Sequence, residues 1–246
     1  MQRKRKNPLL ITLITILSVT VLLTAGFFIY TSVYYRADNV ALQNFAELHP
    51  SVKSETCKNY LAFKGDEIKG GVILYPGAKV EYTAYSALAT AIADKGYLCV
   101  LLKVPFNLAF FSSNAANRIP ELYPEVSDWY LGGHSLGGAI AAKCLAKSDK
   151  YQGLILLAAF SADDLTAKNI KVLSVYGSND KILNRKSYLK YKKNLPADFT
   201  EKIIDGGCHS YFGTYGIQKK DGTPSIDNFK QIEVTASLID EFITNK

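Results

Sequence analysis

The chain reads as an α/β protein: a mainly parallel sheet with helices on both faces, preceded by one N-terminal transmembrane helix. Three observations lead there. Apolar strand-like runs alternate with helical patterns over about 200 residues, enough for one well-buried core. No internal repeat or low-complexity tract interrupts them. Ahead of them lies an uncharged stretch longer than a globular core helix needs.

The N-terminus comes first. Arg3, Lys4, Arg5 and Lys6 precede a run with no charged residue until Arg36. As a helix, residues 9–30 would extend about 33 Å, against roughly 30 Å of bilayer hydrocarbon. A cleaved signal peptide has an apolar core of about 7 to 15 residues and an A-x-A-like site, and neither is present here. The basic residues sit before the span, so the positive-inside rule predicts a cytoplasmic N-terminus and an outward-facing domain. The expected organisation is a basic tail at 1–8, a signal anchor at 9–30, a linker at 31–50 and a catalytic domain at 51–246. Of the formal +7 charge, four belong to that tail, leaving +3 for the rest of the chain. A balance that small, with no aromatic-basic interleaving, argues against a nucleic-acid partner.

Strand-like segments follow at 71–75, 97–104, 128–131, 153–158, 171–176 and 199–204, with helices expected at 82–95, 136–147, 184–194 and 225–244. Alternation of the two implies a parallel sheet with helices on both faces. The stretch between residues 158 and 171 is too short for a large lid, which predicts an open site. The apolar run at 105–111 either lines that site or packs in the core.

Function is concentrated in Gly133-His134-Ser135-Leu136-Gly137, a Gly-x-Ser-x-Gly pattern between a strand and a helix. Such an elbow holds the serine in strained geometry at the sheet's carboxyl edge, and glycine is needed where segments pass too closely for a β-carbon. A serine hydroxyl needs a base to become nucleophilic. The chain has three histidines, His49, His134 and His209. His134 is locked in the elbow and His49 precedes the first expected strand, so His209, in a glycine-rich loop after a strand, is the candidate base. An acid that orients the imidazole should fall between serine and histidine in chain order. Asp180, in the turn Gly177-Ser178-Asn179-Asp180, fits; Asp163 and Asp164 are rivals one strand earlier. The oxyanion needs two backbone donors. Leu136 N–H is one, and the other belongs to the loop Pro76-Gly77-Ala78-Lys79-Val80, with Ala78 preferred over Lys79.

These segments resemble the α/β-hydrolases, and among them the small lidless enzymes similar to dienelactone hydrolases. The resemblance runs from about Leu61 to the C-terminus. It rests on the Tyr75–Val80 loop, the elbow extended by Gly138, the turn from Tyr176 to Asp180, and Gly207-Cys208-His209 with the following Phe212-Gly213-Thr214-Tyr215-Gly216. Dienelactone hydrolases typically carry cysteine as nucleophile where this chain has Ser135, so the resemblance implies a reaction class and no substrate.

Cys208 beside His209 is not the expected nucleophile, because the elbow position already holds serine. Cys57, Cys99, Cys144 and Cys208 read as free thiols, since Cys99 falls in a strand and Cys144 in a helix. Scattered histidines give no metal-ligand spacing, and no cofactor is expected. The sequence therefore predicts a membrane-anchored serine hydrolase cleaving a small carboxylic ester. An acyltransferase or peptidase with the same triad, or a non-catalytic binding module on this fold, are the alternatives.

Overall fold

A computed structural model describes residues 7–245; the basic residues expected to set topology, Arg3 to Lys6, lie outside the described residues. The described chain divides into two compact units, one ending at Tyr34 and one running from Tyr35 onward.

The first unit is helix α1, Pro8–Ser32, with a mean hydropathy of 2.4 over its most apolar window. It is long and apolar enough to cross a membrane. Asn7 caps it through Leu9 N–H, and Pro8 occupies the first turn, where a missing N–H leaves no bond unmade. Thr12, Thr15 and Thr20 return their hydroxyls to carbonyls four residues back. In hydrocarbon, where an unsatisfied polar group is destabilising, that bond hides each hydroxyl.

The second unit is built, among the described residues, on eight strands: β1 Lys53–Thr56, β2 Tyr60–Lys64, β3 Gly71–Tyr75, β4 Leu98–Leu102, β5 Trp129–His134, β6 Gly153–Leu157, β7 Lys171–Gly177 and β8 Phe199–Ile204. Their spatial order is β1-β2-β4-β3-β5-β6-β7-β8, and of these pairings β1–β2 and β2–β4 are antiparallel and the rest parallel. Helices α2 Asn39–Glu47, α3 Ser86–Asp94 and α7 Asn228–Thr244 bury residues with one face of the sheet; α4 Ile119–Leu122 and α5 Leu136–Ala146 do so with the other. Helix α6, Arg185–Tyr191, follows β7. The central strands are apolar throughout because both faces are covered: Val72 and Leu74 point into one core, Ile73 and Tyr75 into the other.

All six expected strands and all four expected helices are present, with shifted ends: the helix expected from 82 begins as a 3-10 turn, Tyr82–Tyr85, and the last helix begins at Asn228 behind its Asp227 cap. Three features differ from expectation. Strands β1 and β2 extend the sheet beyond the expected set. The compact unit starts at Tyr35 and not at residue 51. Within the expected linker, Asp38 caps α2 through Ala41 N–H, and Phe45, 1% exposed, packs 4.9 Å from Phe229 of α7. The physical reason is burial: a linker segment with a capped, one-sided apolar face is stabilised against the core. His49 closes it, stacked on Phe45 and reaching Asp94 at 3.3 Å and Glu233 at 3.0 Å.

Strand order reverses direction at β3. The chain moves outward from β3 to β4 on one side and from β5 through β8 on the other. Ligand crevices in such sheets open at the carboxyl ends flanking that switch point. The loop after β3 and the turn after β5 are neighbours there.

Candidate active site

Ser135 lies between β5 and α5 with φ 53° and ψ −121°, the strained turn expected of an elbow. Sterics fix the glycines. A β-carbon on Gly137 would sit 2.3 Å from Tyr75 O, and one on Gly133 would sit 2.5 Å from the Gly137 carbonyl carbon. Ser135 N–H donates to Leu157 O at 2.9 Å, tying the turn to β6. Leu136 opens α5, so its N–H has no partner within the helix.

Across the switch point, Lys79 takes up a positive φ of 57° and donates its N–H to Asn107 O at 2.8 Å. Ala78 N–H has no hydrogen-bond partner among the described residues, which distinguishes it from Lys79 as an anion donor. The loop is buttressed from below. Gly77 N–H donates to the Tyr85 hydroxyl at 3.0 Å, and that hydroxyl lies 2.8 Å from His134 Nδ1. Burial, reinforced by the neighbouring His209, holds His134 well below the usual imidazole range, so it is a neutral strut between the Ser135 turn and the loop after β3.

The other half of the site comes from β7 and β8. Their ends touch: a β-carbon on Gly177 would fall 2.3 Å from the Gly207 backbone. That contact brings Asp180 to His209, with Asp180 Oδ2 2.9 Å from His209 Nδ1 and both side chains buried. Asp180 Oδ1 accepts from Ile182 and Leu183 N–H, each at 2.8 Å, so both carboxylate oxygens are satisfied. Of the rivals, Asp164 accepts from Thr166 and caps its own turn, and the Asp163 carbonyl takes the Ser161 hydroxyl. Neither is bonded to a histidine among the described residues. His209 Nε2 is buried and has no hydrogen-bond partner among the described residues, Ser135 Oγ included. The two rings at the junction, His134 and His209, are 4.5 Å apart. Serine–histidine bonds in free enzymes are often open and tighten around substrate.

Two residues that sequence reasoning missed hold His209 in place. Gln231, fully buried on α7, brackets Cys208 by accepting from its N–H at 2.9 Å and donating to its carbonyl at 2.8 Å. Asp221 accepts from His209 N–H at 3.3 Å, Ser210 N–H at 2.8 Å, the Ser210 hydroxyl at 2.6 Å and Lys181 N–H at 3.4 Å, bridging the histidine loop to the acid turn. Burial works to raise its carboxyl, but the Ser210 hydroxyl and the backbone donors outweigh it and hold it below the usual carboxylate range. A glutamine on the buried face of α7 was the one available signal. Cys208 is buried, and desolvation with Asp221 nearby pushes its thiol up to about 12, which leaves it unreactive.

The apolar run at 105–111 divides: Ala109 is buried, whereas Phe106, Phe110 and Phe111 are exposed at 42%, 62% and 46%. A cavity of about 880 Å³ lies at the opposite, amino-terminal edge of the sheet, lined by Lys69, Asp128, Lys171 and Asp198 among others. It contains none of the candidate residues, which all lie at the carboxyl ends of the strands.

The model of the alpha/beta hydrolase family matches residues 71–233, more than half of the chain, and the chain belongs to that family. No curated protein matches it.

Proposed function

We propose that this α/β-hydrolase is a serine esterase, anchored through α1 with its catalytic domain outside the cytoplasm, that cleaves a small carboxylic ester by way of an acyl-enzyme. The observation that carries the reading is the buried Asp180–His209 pair at 2.9 Å, whose remaining ring nitrogen is unpartnered beside a serine elbow. Ser135 Oγ attacks the ester carbonyl while its proton passes to His209 Nε2. Asp180 keeps the proton of the ring on Nδ1 and stabilises the imidazolium that results. Leu136 and Ala78 N–H stabilise the oxyanion, a contribution worth roughly 3 kcal/mol per donor. His209 then returns the proton to the leaving alcohol, and water repeats the sequence to release the acid.

Treating the full chain in detergent micelles with a fluorophosphonate probe and locating the adduct by mass spectrometry tests this. Labelling at Ser135 that disappears in His209→Ala is expected. Folded protein that stays unlabelled would favour a binding module. Orientation is read separately, by reacting the partly exposed Cys57 next to β1 with a membrane-impermeant maleimide in intact cells, with Cys57→Ser as the control; protection of Cys57 in intact but not lysed cells would place the domain inside.

A further inference from the structure

The first four residues of the catalytic unit lie across both loops that carry the chemistry. Tyr35 N–H donates to Lys79 O at 2.7 Å and Tyr35 O accepts from Glu81 N–H at 2.9 Å, a parallel bridge alongside Val80. Ala37 N–H donates to Glu81 Oε2 at 3.1 Å. On the other side, Asp38 N–H donates to Thr214 O at 2.9 Å, the Tyr35 hydroxyl accepts from Lys219 N–H at 3.0 Å, and the Tyr35 ring packs 5.7 Å from that of Tyr215. One short segment thus holds residues 79–81, which continue the oxyanion loop, and residues 214–219, which continue the histidine loop.

We infer that residues 35–38 are a positioning strap for the active site, with Tyr35 as its central residue, so that the stretch immediately following the apolar helix is part of the catalytic apparatus and not a passive tether. The assignment of those loops to catalysis rests on the serine-hydrolase reading above; the strap itself rests on the hydrogen bonds. Lys79 shows how the strap reaches the site. Its carbonyl is taken by Tyr35 and its N–H by Asn107, which pins the residue next to Ala78 at a positive φ. Without the first bond Lys79 loses the tie on its carbonyl while the N–H tie to Asn107 remains, and the neighbouring Ala78 N–H can move from the oxyanion position. A displacement of about 1 Å at a reacting group costs on the order of 100-fold in rate. A second link, from Thr214 N–H to Ala84 O at 2.7 Å, survives loss of the strap, so a partial effect is expected.

Tyr35→Pro removes the N–H donated to Lys79; Tyr35→Phe removes only the acceptor for Lys219; a Gly-Ser-Gly insertion between Val33 and Tyr34 lengthens the tether and leaves the strap intact. In the full chain, the strap predicts that Tyr35→Pro slows fluorophosphonate labelling by about 10- to 100-fold through the maximal rate and not through probe affinity, with Tyr35→Phe intermediate and the insertion at the parent rate. Hydrogen–deuterium exchange gives the independent reading. Tyr35→Pro should lose protection across 76–81 and 214–219 while the sheet strands keep theirs; Glu81→Ala, which leaves the backbone alone, should do the same more weakly. Unchanged protection in both variants, or slowing by the insertion as large as by Tyr35→Pro, overturns the strap. Failure of the parent itself to label at Ser135 sinks the esterase reading instead, while the exchange data still decide the strap.

Discussion

The two halves of the site are held by different physics. On the Ser135 side, backbone meets backbone: Gly133, Gly137 and the end of β3 are packed so closely that shape, together with the Ser135 N–H bond to Leu157 O, fixes Ser135 at φ 53°. On the base side, side-chain carboxylates and an amide do the holding, with Asp180, Asp221 and Gln231 each accepting backbone N–H groups around His209 and its loop. Neither half tolerates added volume at its glycine contacts, and the second depends in addition on single side-chain polar atoms that hold backbone. The elbow is thus specified chiefly by what is missing from its residues, and the proposed base by what distant residues supply.

Four substitutions probe that contrast, beginning with the largest effect. Asp180→Asn keeps an oxygen for Ile182 and Leu183 but presents the wrong partner to His209 Nδ1, and should lower kcat about 10⁴-fold with a nearly unchanged Tm; steady-state kinetics beside a thermal melt would show whether the polar half fails without unfolding. Gly137→Ala places a methyl group 2.3 Å from a carbonyl oxygen. Overpacking costs about 1–3 kcal/mol, and more where backbone must move, so the variant should accumulate poorly as folded protein; normal yield and a parent-like melt would break the steric account. Gln231→Leu fills the same space but strands the Cys208 N–H and C=O, a loss of about 1–3 kcal/mol measurable by denaturant unfolding, with activity falling more than that loss predicts.

The smallest effect is one of pH. Burial depresses His134 in the folded state, so below the ordinary imidazole value of about 6.5 the unfolded chain takes up a proton that the folded chain refuses. Its contribution to stability is therefore present at neutral pH and lost as pH falls. Parent melts between pH 7.5 and 5 should decline more steeply than those of His134→Asn, by at most ~1.4 kcal/mol per pH unit; parallel curves would show that His134 titrates alike in both states.

Local chemistry explains which parts were legible. Runs such as Gly71–Tyr75 and Gly153–Leu157 announce doubly buried strands by being apolar at every position, and the elbow announces itself because its glycines are a steric requirement. Strand β1 was invisible because all four of its residues are exposed, and its polar composition is what keeps a sheet edge from pairing with other chains. Helix α2 and the His49 that closes it were hidden because their partners, Phe229 for Phe45 and Glu233 for His49, lie more than 180 positions away. Asp221 and Gln231 were hidden for the same reason: an acceptor acquires its meaning from the donor that folding delivers to it.

Two long connections leave the catalytic edge of the sheet, one at 103–128 after β4 and one at 205–227 after β8. The second is occupied in holding His209 through Ser210, Asp221 and the contacts at Thr214. The first includes a string of 3-10 turns that exposes Phe110; it takes the Lys79 N–H on the Asn107 carbonyl, holds the Tyr75 hydroxyl through Ser112, Ser113 and Ala116, ties Asn117 to Tyr151, and buries Ala109 and Ala116 in the core. Side-chain changes at the exposed positions of the first loop should therefore be better tolerated than changes at Ser210 or Asp221 in the second. On the esterase reading, a library confined to the exposed Phe106, Phe110 and Phe111 is the place to retune which substrate is accepted while leaving the reaction itself intact.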